Sequence, residues 1–166
     1  AKECMLLSQR SATMPLPPGT TAVMPNAGGA GYYRFALEAK DLDGLLAVAP
    51  QLSETEAIML ADSVAAAFRA GRLPFGEFLA AAGQLATHPS RLPSIALGLE
   101  LVDIGDRWVD PATRDAIATK LQELYGPRLA DLGLDVRRAA HATESPERRL
   151  LRRSLASLVA RHGRDP

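Results

Sequence analysis

The stretch that decides the fold runs from Ser53 to Gly71 and reads SETEAIMLADSVAAAFRAG. It opens with a capping box, in which the Ser53 hydroxyl accepts from the backbone N–H of Glu56 and the Glu56 carboxylate reaches back. Apolar residues then recur at steps of three and four, at Ala57, Leu60, Ala61, Val64 and Phe68. Gly71 is suited to end the helix. The stretch therefore predicts an amphipathic helix with one buried face.

Similar signals predict more helices on either side of this stretch, about six in all. A short helix that Pro50 ends places three leucines on one face, namely Leu42, Leu45 and Leu46. Pro74 precedes a helix whose apolar residues are Phe75, Phe78, Leu79 and Leu85. Pro93 opens the next helix in its first turn, with a stripe of Leu97, Leu101 and Ile104.

In the last third of the chain, two predicted helices begin with a capping residue followed by a proline. After Asp110–Pro111 the predicted helix aligns Ile117, Leu121 and Leu124. Gly126–Pro127 is predicted to break it, which leaves Leu129 and Leu132 in a short separate turn. Ser145–Pro146 then starts a final helix that Gly163 ends and whose inward residues are Leu150, Leu151, Leu155 and Leu158.

The composition agrees with a mainly α fold. The 166 residues include 29 Ala and 25 Leu, which are strong helix formers, whereas only 5% are aromatic. The chain is 47% hydrophobic and 23% charged, the balance of a globular domain. Because short loops join antiparallel neighbours, we predict an irregular antiparallel array of helical hairpins, similar to an α-superhelix, over residues 41–166.

The first forty residues follow another pattern. Short apolar runs alternate with turn compositions such as Pro17-Pro18-Gly19-Thr20, and Tyr33, Phe35 and Leu37 alternate with their neighbours as in a strand. Four short strands do not make a self-sufficient domain. We therefore predict that residues 1–40 form the end of a β-sandwich domain or a strand-rich linker.

The formal net charge of zero is the sum of two opposed segments. Residues 41–110 carry a net charge of −6 and residues 137–164 a net charge of +6. Four arginines form one basic flank of the last helix: Arg148, Arg149, Arg152 and Arg153. The flank lacks the interleaved aromatic residues and the module of a nucleic-acid binder. We interpret it as a partner of the acidic segment, with nucleic acid as the alternative.

The histidines and serines do not form a catalytic motif. A zinc peptidase helix needs two His at i and i+4 with a Glu between them, whereas His88, His141 and His162 are far apart in the sequence. We interpret them as isolated surface histidines, and a three-ligand site assembled by the fold stays open. There is no G-x-S-x-G elbow, the motif that presents a catalytic serine. Ser8, Ser53 and Ser145 lie instead in predicted turns or at helix caps.

Two further candidates for a functional role, a cysteine and a glycine-rich loop, are interpreted as structural. The single cysteine, Cys4, excludes an internal disulfide framework, and we predict that it packs within a strand. The loop Gly28-Gly29-Ala30-Gly31 has no nearby Lys for a phosphate-binding loop and precedes the predicted strand, so we interpret it as a turn. We therefore assign no catalytic, cofactor-binding or metal-ligating residue in this chain.

One stretch, Val23–Phe35, reads VMPNAGGAGYYRF and closely resembles the PNxxGxGYYR segment of the aminopeptidase N family of zinc metallopeptidases. In that family the segment leads from a small β-sandwich domain into a C-terminal helical domain. Leu52–Ala57 and Asp62–Gly71 resemble the family's LSxxERxxLxxDxxxLARAG region. Two later stretches, Tyr125–Leu129 and Leu150–Leu155, resemble patterns of the helical domain, in the same order along the chain.

The resemblance implies a noncatalytic part of such an enzyme. The family's H-E-x-x-H motif, its further glutamate ligand and its G-x-M-E-N stretch belong to an upstream catalytic domain, and none occurs in this sequence. The chain is then expected to be a C-terminal piece of a longer enzyme. It is expected to bind no cofactor itself, with zinc in the parent enzyme, and its helical domain to cover the active-site cavity and limit peptide access.

The expected partners follow from this interpretation. They are the upstream catalytic domain of the same polypeptide and, indirectly, peptide substrates, with no nucleic acid and no membrane span. No signal peptide is visible, and a cytoplasmic location is expected. The chain alone is expected to be inactive. The alternative is a freestanding helical module that binds a protein partner, and a weaker one is nucleic-acid binding by the arginine flank.

Overall fold

The structure, a computed structural model that describes residues 2–135, 137 and 140–163, is built from α-helices. They are α1 (Ala39–Ala47), α2 (Glu54–Arg69), α3 (Phe75–Ala86), α4 (Arg91–Arg107), α5 (Pro111–Leu132) and α6 (Pro146–Ala156). Two 3₁₀ turns, Ala27–Gly29 and Ala49–Gln51, and a π-helical turn after α6, Ser157–His162, complete the regular structure. The prediction of a mainly α fold is confirmed.

Among the described helices, α2, α5 and α6 begin at a residue whose side chain caps the first turn. Ser53 Oγ accepts from the Glu56 N–H at 3.3 Å, and Glu56 Oε2 accepts from the Ser53 N–H at 3.1 Å, which completes the predicted capping box. Gly71, with φ +67°, follows the end of α2. Asp110 Oδ1 accepts from the first backbone N–H groups of α5 at 2.9 and 3.1 Å. Each cap pairs donors that the first turn of a helix leaves free.

The predicted break at Gly126–Pro127 is wrong, because α5 continues through both residues to Leu132. Pro127 is exposed, and its ring removes the N–H that would donate to the carbonyl of Glu123. On the opposite face Leu121, Tyr125 and Leu129 are buried. Burying that face stabilises the helix by more than one missing hydrogen bond costs.

The helices pack their apolar faces into one core. The most deeply buried large side chains are Leu45, Leu60, Phe78, Leu85, Leu97, Leu101, Leu121, Tyr125, Leu155 and Leu158. Three phenylalanines, Phe68, Phe75 and Phe78, join α2 to α3 with ring centroids 4.7 to 6.2 Å apart. Leu150, predicted to point inward, is exposed because the buried face of α6 is formed by Arg152 and Leu155.

The described residues before α1 contain no β-strand, which differs from the prediction for residues 1–40. A strand needs a neighbour to complete its backbone hydrogen bonds, and the one backbone bond within residues 2–24 is the turn from Thr20 N–H to the Pro17 carbonyl at 3.2 Å. The predicted alternation of apolar residues with their neighbours is still visible in which side chains of this segment pack on the helices. Phe35 and Leu37 pack on the helical core, while Arg34 and Ala36 are exposed.

Within the described part of the chain, no helix combines the length and the apolar character that crossing a membrane requires.

Candidate functional site

The segment Pro25–Arg34 is a closed loop that lies on α2. The buried Asn26 side chain closes it: Oδ1 accepts from the Gly31 N–H and Nδ2 donates to the Gly31 carbonyl, both at 2.8 Å. Gly28 and Gly29 adopt φ values of +70° and +64°, which favour glycine. The interpretation of the glycine-rich stretch as a turn is confirmed.

Glu56 joins this loop to the start of α2. Its Oε1 accepts from the Gly28 N–H at 2.8 Å, while Oε2 accepts from the Ser53 hydroxyl at 2.7 Å. The Gly28 N–H and then the Ser53 hydroxyl hold the pKa of Glu56 below its ordinary value, since both stabilise the carboxylate. The sequence revealed only the local half of this arrangement, because the bond to Gly28 crosses twenty-eight positions.

The end of the loop is fixed further along α2. Arg34 donates from Nε to Asp62 Oδ2 at 2.7 Å and from Nη2 to Oδ1 at 3.1 Å, a two-point contact that fixes the guanidinium plane. The Phe35 N–H donates to Ser63 Oγ at 3.3 Å. A Cβ added at Gly29 would lie 2.3 Å from Thr55 Cγ2, so the loop approaches the helix too closely for a side chain there.

A cleft of about 360 Å³ opens between this loop and α2. Its lining residues are Gly31, Tyr32, Tyr33, Arg34, Met59 and Asp62. Tyr32 is fully exposed and Tyr33 is 53% exposed, although Tyr33 Oη donates to the Pro25 carbonyl at 2.6 Å. Exposed tyrosines on a rigid base are typical of protein contact surfaces, and this cleft is suited to binding.

The histidines have separate structural roles. His88 is buried, against the prediction of a surface position, because its ring joins two backbone segments: Nδ1 accepts from the Ser90 N–H at 3.0 Å and Nε2 lies 3.1 Å from the Leu52 carbonyl oxygen. His141 Nε2 accepts from the Asp135 N–H at 3.2 Å. Among the described residues no three His, Cys, Asp or Glu side chains converge into a possible metal site.

The prediction that Cys4 packs within a strand is wrong. Cys4 is exposed rather than packed, since the described segment around it forms no strand.

Arg128, which the sequence did not single out, donates from Nη1 to the carbonyls of Ala86 and His88 at 2.8 Å each and from Nη2 to the carbonyl of Pro89 at 3.1 Å. Of these carbonyls, that of Ala86 is one that the end of α3 leaves free, and those of His88 and Pro89 belong to the connection to α4.

The arginine flank pairs locally rather than with the acidic segment. Arg152 is buried and donates to Glu144 at 2.5 and 2.7 Å, to the Gly133 carbonyl at 2.7 Å and to the Leu132 carbonyl at 3.0 Å. Arg148 Nε lies 3.4 Å from the same carboxylate. Glu144 lies just before α6, so it is nearer than any acidic residue of 41–110.

The other basic residues of 137–164 differ from one another: Arg137 pairs with Asp135, and Arg161 is exposed. Arg149 and Arg153 are exposed and have no ion pair within the described ranges. Arg138 and Arg164, which contributed to the predicted basic segment, lie outside the described residues. Among the described residues, the one ion pair between the two segments has the opposite polarity, from Arg91 Nε to Glu147 Oε1 at 3.2 Å.

The Arg152–Glu144 contact predicts a dependence of stability on acid pH. Hydrogen bonds from Arg152 lower the pKa of Glu144 from 4.5 to about 2. The contribution of the ionised Glu144 carboxylate to the free energy of unfolding is therefore complete above pH 4.5 and is lost as the pH falls through 2. We expect Glu144→Gln to flatten part of the decline in the free energy of unfolding over this range, measured by urea titration. Asp131→Asn, at an exposed position of α5 with no hydrogen bond or ion pair within the described residues, is the control variant. An equal slope in both variants would contradict the assignment.

Comparison with known proteins gives one match. The family model described as ERAP1-like C-terminal domain matches residues 22–166, which run from just before the Pro25–Arg34 loop and include α1 to α6. No curated protein and no solved structure matches the chain.

Proposed function

Because the chain belongs to the ERAP1-like C-terminal domain family, as its resemblance to the C-terminal region of aminopeptidase N enzymes indicated, we propose that it covers the active-site cavity of an aminopeptidase and limits peptide access. The catalytic zinc and the peptidase motifs lie in an upstream domain of the same polypeptide. The family match over residues 22–166 carries this proposal.

The arrangement of the first forty residues supports it. Pro25–Arg34 is fixed to α2 by Asn26 and Glu56, yet Tyr32 is fully exposed and residues 2–24 form no regular structure. We propose that this segment completes its backbone hydrogen bonds as strands at the end of a β-sandwich domain. The cleft lined by Tyr32 and Tyr33 then lies at the boundary with the preceding domain.

Two measurements test the proposal. The purified chain is expected to hydrolyse no aminoacyl anilide and to hold no stoichiometric zinc, and hydrolysis with bound zinc would overturn it. The gene upstream of the codon for Ala1 is expected to encode H-E-x-x-H. A complete reading frame that starts near Ala1 would instead support the freestanding interaction module.

A further inference from the structure

The loop Pro25–Arg34 is firmly fixed, yet it holds one large aromatic side chain, that of Tyr32, fully in solvent. Asn26 and Glu56 fix its backbone through hydrogen bonds of 2.8 Å. A segment whose backbone is already ordered loses little further conformational freedom when it binds. The loop is therefore preorganised to present Tyr32 to a partner.

The cleft beside Tyr32 offers mainly apolar surface, and its volume of about 360 Å³ lies within the range of binding pockets. Tyr33 and Met59 line it together with Tyr32, and Tyr33 Oη already donates to a backbone carbonyl at 2.6 Å. Its two charged lining residues, Arg34 and Asp62, neutralise each other through contacts of 2.7 and 3.1 Å. The cleft is therefore suited to an apolar segment rather than to a charged one.

The first residue that the structure describes, Lys2, lies beside the same loop. Its Nζ is 3.8 Å from the point where a Cβ on Gly28 would stand. The pKa of Glu56 is lowered most by the Gly28 N–H, then by the Ser53 hydroxyl, and also by the Lys2 ammonium. In the longer polypeptide of the proposed function, the chain that precedes Lys2 therefore starts next to the loop, which makes the preceding domain the partner nearest to the cleft.

We propose that an apolar segment of the preceding domain occupies this cleft, with Tyr32 as the anchor of the contact. The proposal rests on the proposed function, from which it takes the existence of that domain. Tyr and Met are enriched in the cores of protein interfaces, and tyrosines are prominent among the few residues that dominate binding. Tyr32 becomes buried between the two domains, and Tyr33 and Met59 contact the same segment.

Nitration by tetranitromethane, followed by mass spectrometry, tests whether the cleft is covered. The reagent modifies accessible tyrosines, so Tyr32 is expected to react in this chain and about thirtyfold more slowly in the full-length polypeptide, the factor that about 2 kcal/mol provides. Tyr125, which is buried, is the internal control and should react in neither. Equal rates at Tyr32 in the two proteins would overturn the proposal. A rate that falls in the chain alone as its concentration rises would also overturn it, since a second copy would then occupy the cleft.

Paired variants test Tyr32 as the anchor. In the full-length polypeptide, Tyr32→Ala is expected to speed amide hydrogen exchange at Tyr33 and Arg34 about thirtyfold, since an interface anchor contributes about 2 kcal/mol. In this chain alone the same change should leave exchange and thermal unfolding unaltered, because Tyr32 is already exposed. Trp108→Ala, which removes another exposed aromatic ring, at the end of α4, is the matched control and should not alter exchange at the two amides. Equal acceleration by Tyr32→Ala in the chain alone would limit Tyr32 to a role within the loop and overturn the proposal.

Failure of this contact can be distinguished from failure of the proposed function. A gene whose upstream part lacks H-E-x-x-H would overturn the proposed function, whereas the nitration rates would still decide whether the upstream part covers Tyr32. An upstream H-E-x-x-H together with equal nitration of Tyr32 would overturn the contact alone. A reading frame that starts near Ala1 would overturn both.

Discussion

Gly98→Ala is expected to lower the free energy of unfolding by about 2 kcal/mol, although alanine is the better helix former. A Cβ at this position of α4 would lie 2.5 Å from Tyr125 Oη and 2.7 Å from the Cε2 and Cζ atoms of the same ring. Real Cβ atoms do not approach other atoms so closely, so either α4 and α5 separate or the ring leaves its rotamer.

The surroundings of Tyr125 leave little room for either movement. The ring is fully buried between α4 and α5, and its hydroxyl has no hydrogen-bond partner within the described residues. Burial raises the pKa of this phenol, since the charged form would lose its hydration. Overpacking of about 3 kcal/mol, less the ~1 kcal/mol that alanine gains in a helix, gives the expected loss.

Gly83→Ala is the matched control, because the nearest atom to a Cβ at this interior position of α3 is Leu124 Cδ2 at 3.5 Å, an ordinary van der Waals distance. It is expected to raise the free energy of unfolding by up to about 1 kcal/mol. Thermal and urea unfolding of both variants would measure the difference, with Gly98→Ala lowering Tm by roughly 4–8 °C. If Gly98→Ala is as stable as the wild type, the close packing of α4 on Tyr125 is contradicted.

These residues show which parts of the fold could be predicted from the sequence. The caps at Ser53, Asp110 and Ser145 were predicted because each acts on N–H groups within three positions. Gly98 and Tyr125 were not predicted as a contact, because they meet only through the packing of two helices. Pro127 was misread because its local effect is opposed by burial of the other face.

The candidate site, too, could be predicted from the sequence only in part. The resemblance of Val23–Phe35 to a family segment identified the loop, but not the side chains that hold it. Glu56 was predicted as a cap, and its second bond, to Gly28, depends on the loop folding back onto α2. For the arginine flank, summed charges pointed to residues 41–110, whereas Coulomb attraction falls with distance and favoured the adjacent Glu144.

Asn26→Ala is expected to release the Pro25–Arg34 loop from its closed form without unfolding the helices. The substitution removes both 2.8 Å bonds to Gly31, and leaving a buried donor or acceptor unpaired costs about 1–3 kcal/mol. A local cost of about 2 kcal/mol corresponds to roughly 30-fold faster opening. Amide hydrogen exchange at Gly28, Gly31 and Phe35 should accelerate by that factor. Exchange at amides of α4 and α5 that open by local fluctuations, with the loop still closed, should not change.

Two variants separate the loss of the Asn26 bonds from a general loosening of the N-terminal segment. Asn26→Asp keeps an acceptor for the Gly31 N–H and loses the donor to its carbonyl, so we expect an intermediate acceleration. Thr20→Ala removes an exposed turn bond, from Oγ1 to the Pro17 carbonyl at 2.7 Å, and should leave exchange in the loop unchanged. Unaltered exchange at Gly28 and Gly31 in Asn26→Ala would show that Glu56 and Arg34 hold the loop without Asn26. Acceleration confined to the loop would instead make Asn26 the residue that keeps Tyr32 and Tyr33 in place on the proposed domain boundary.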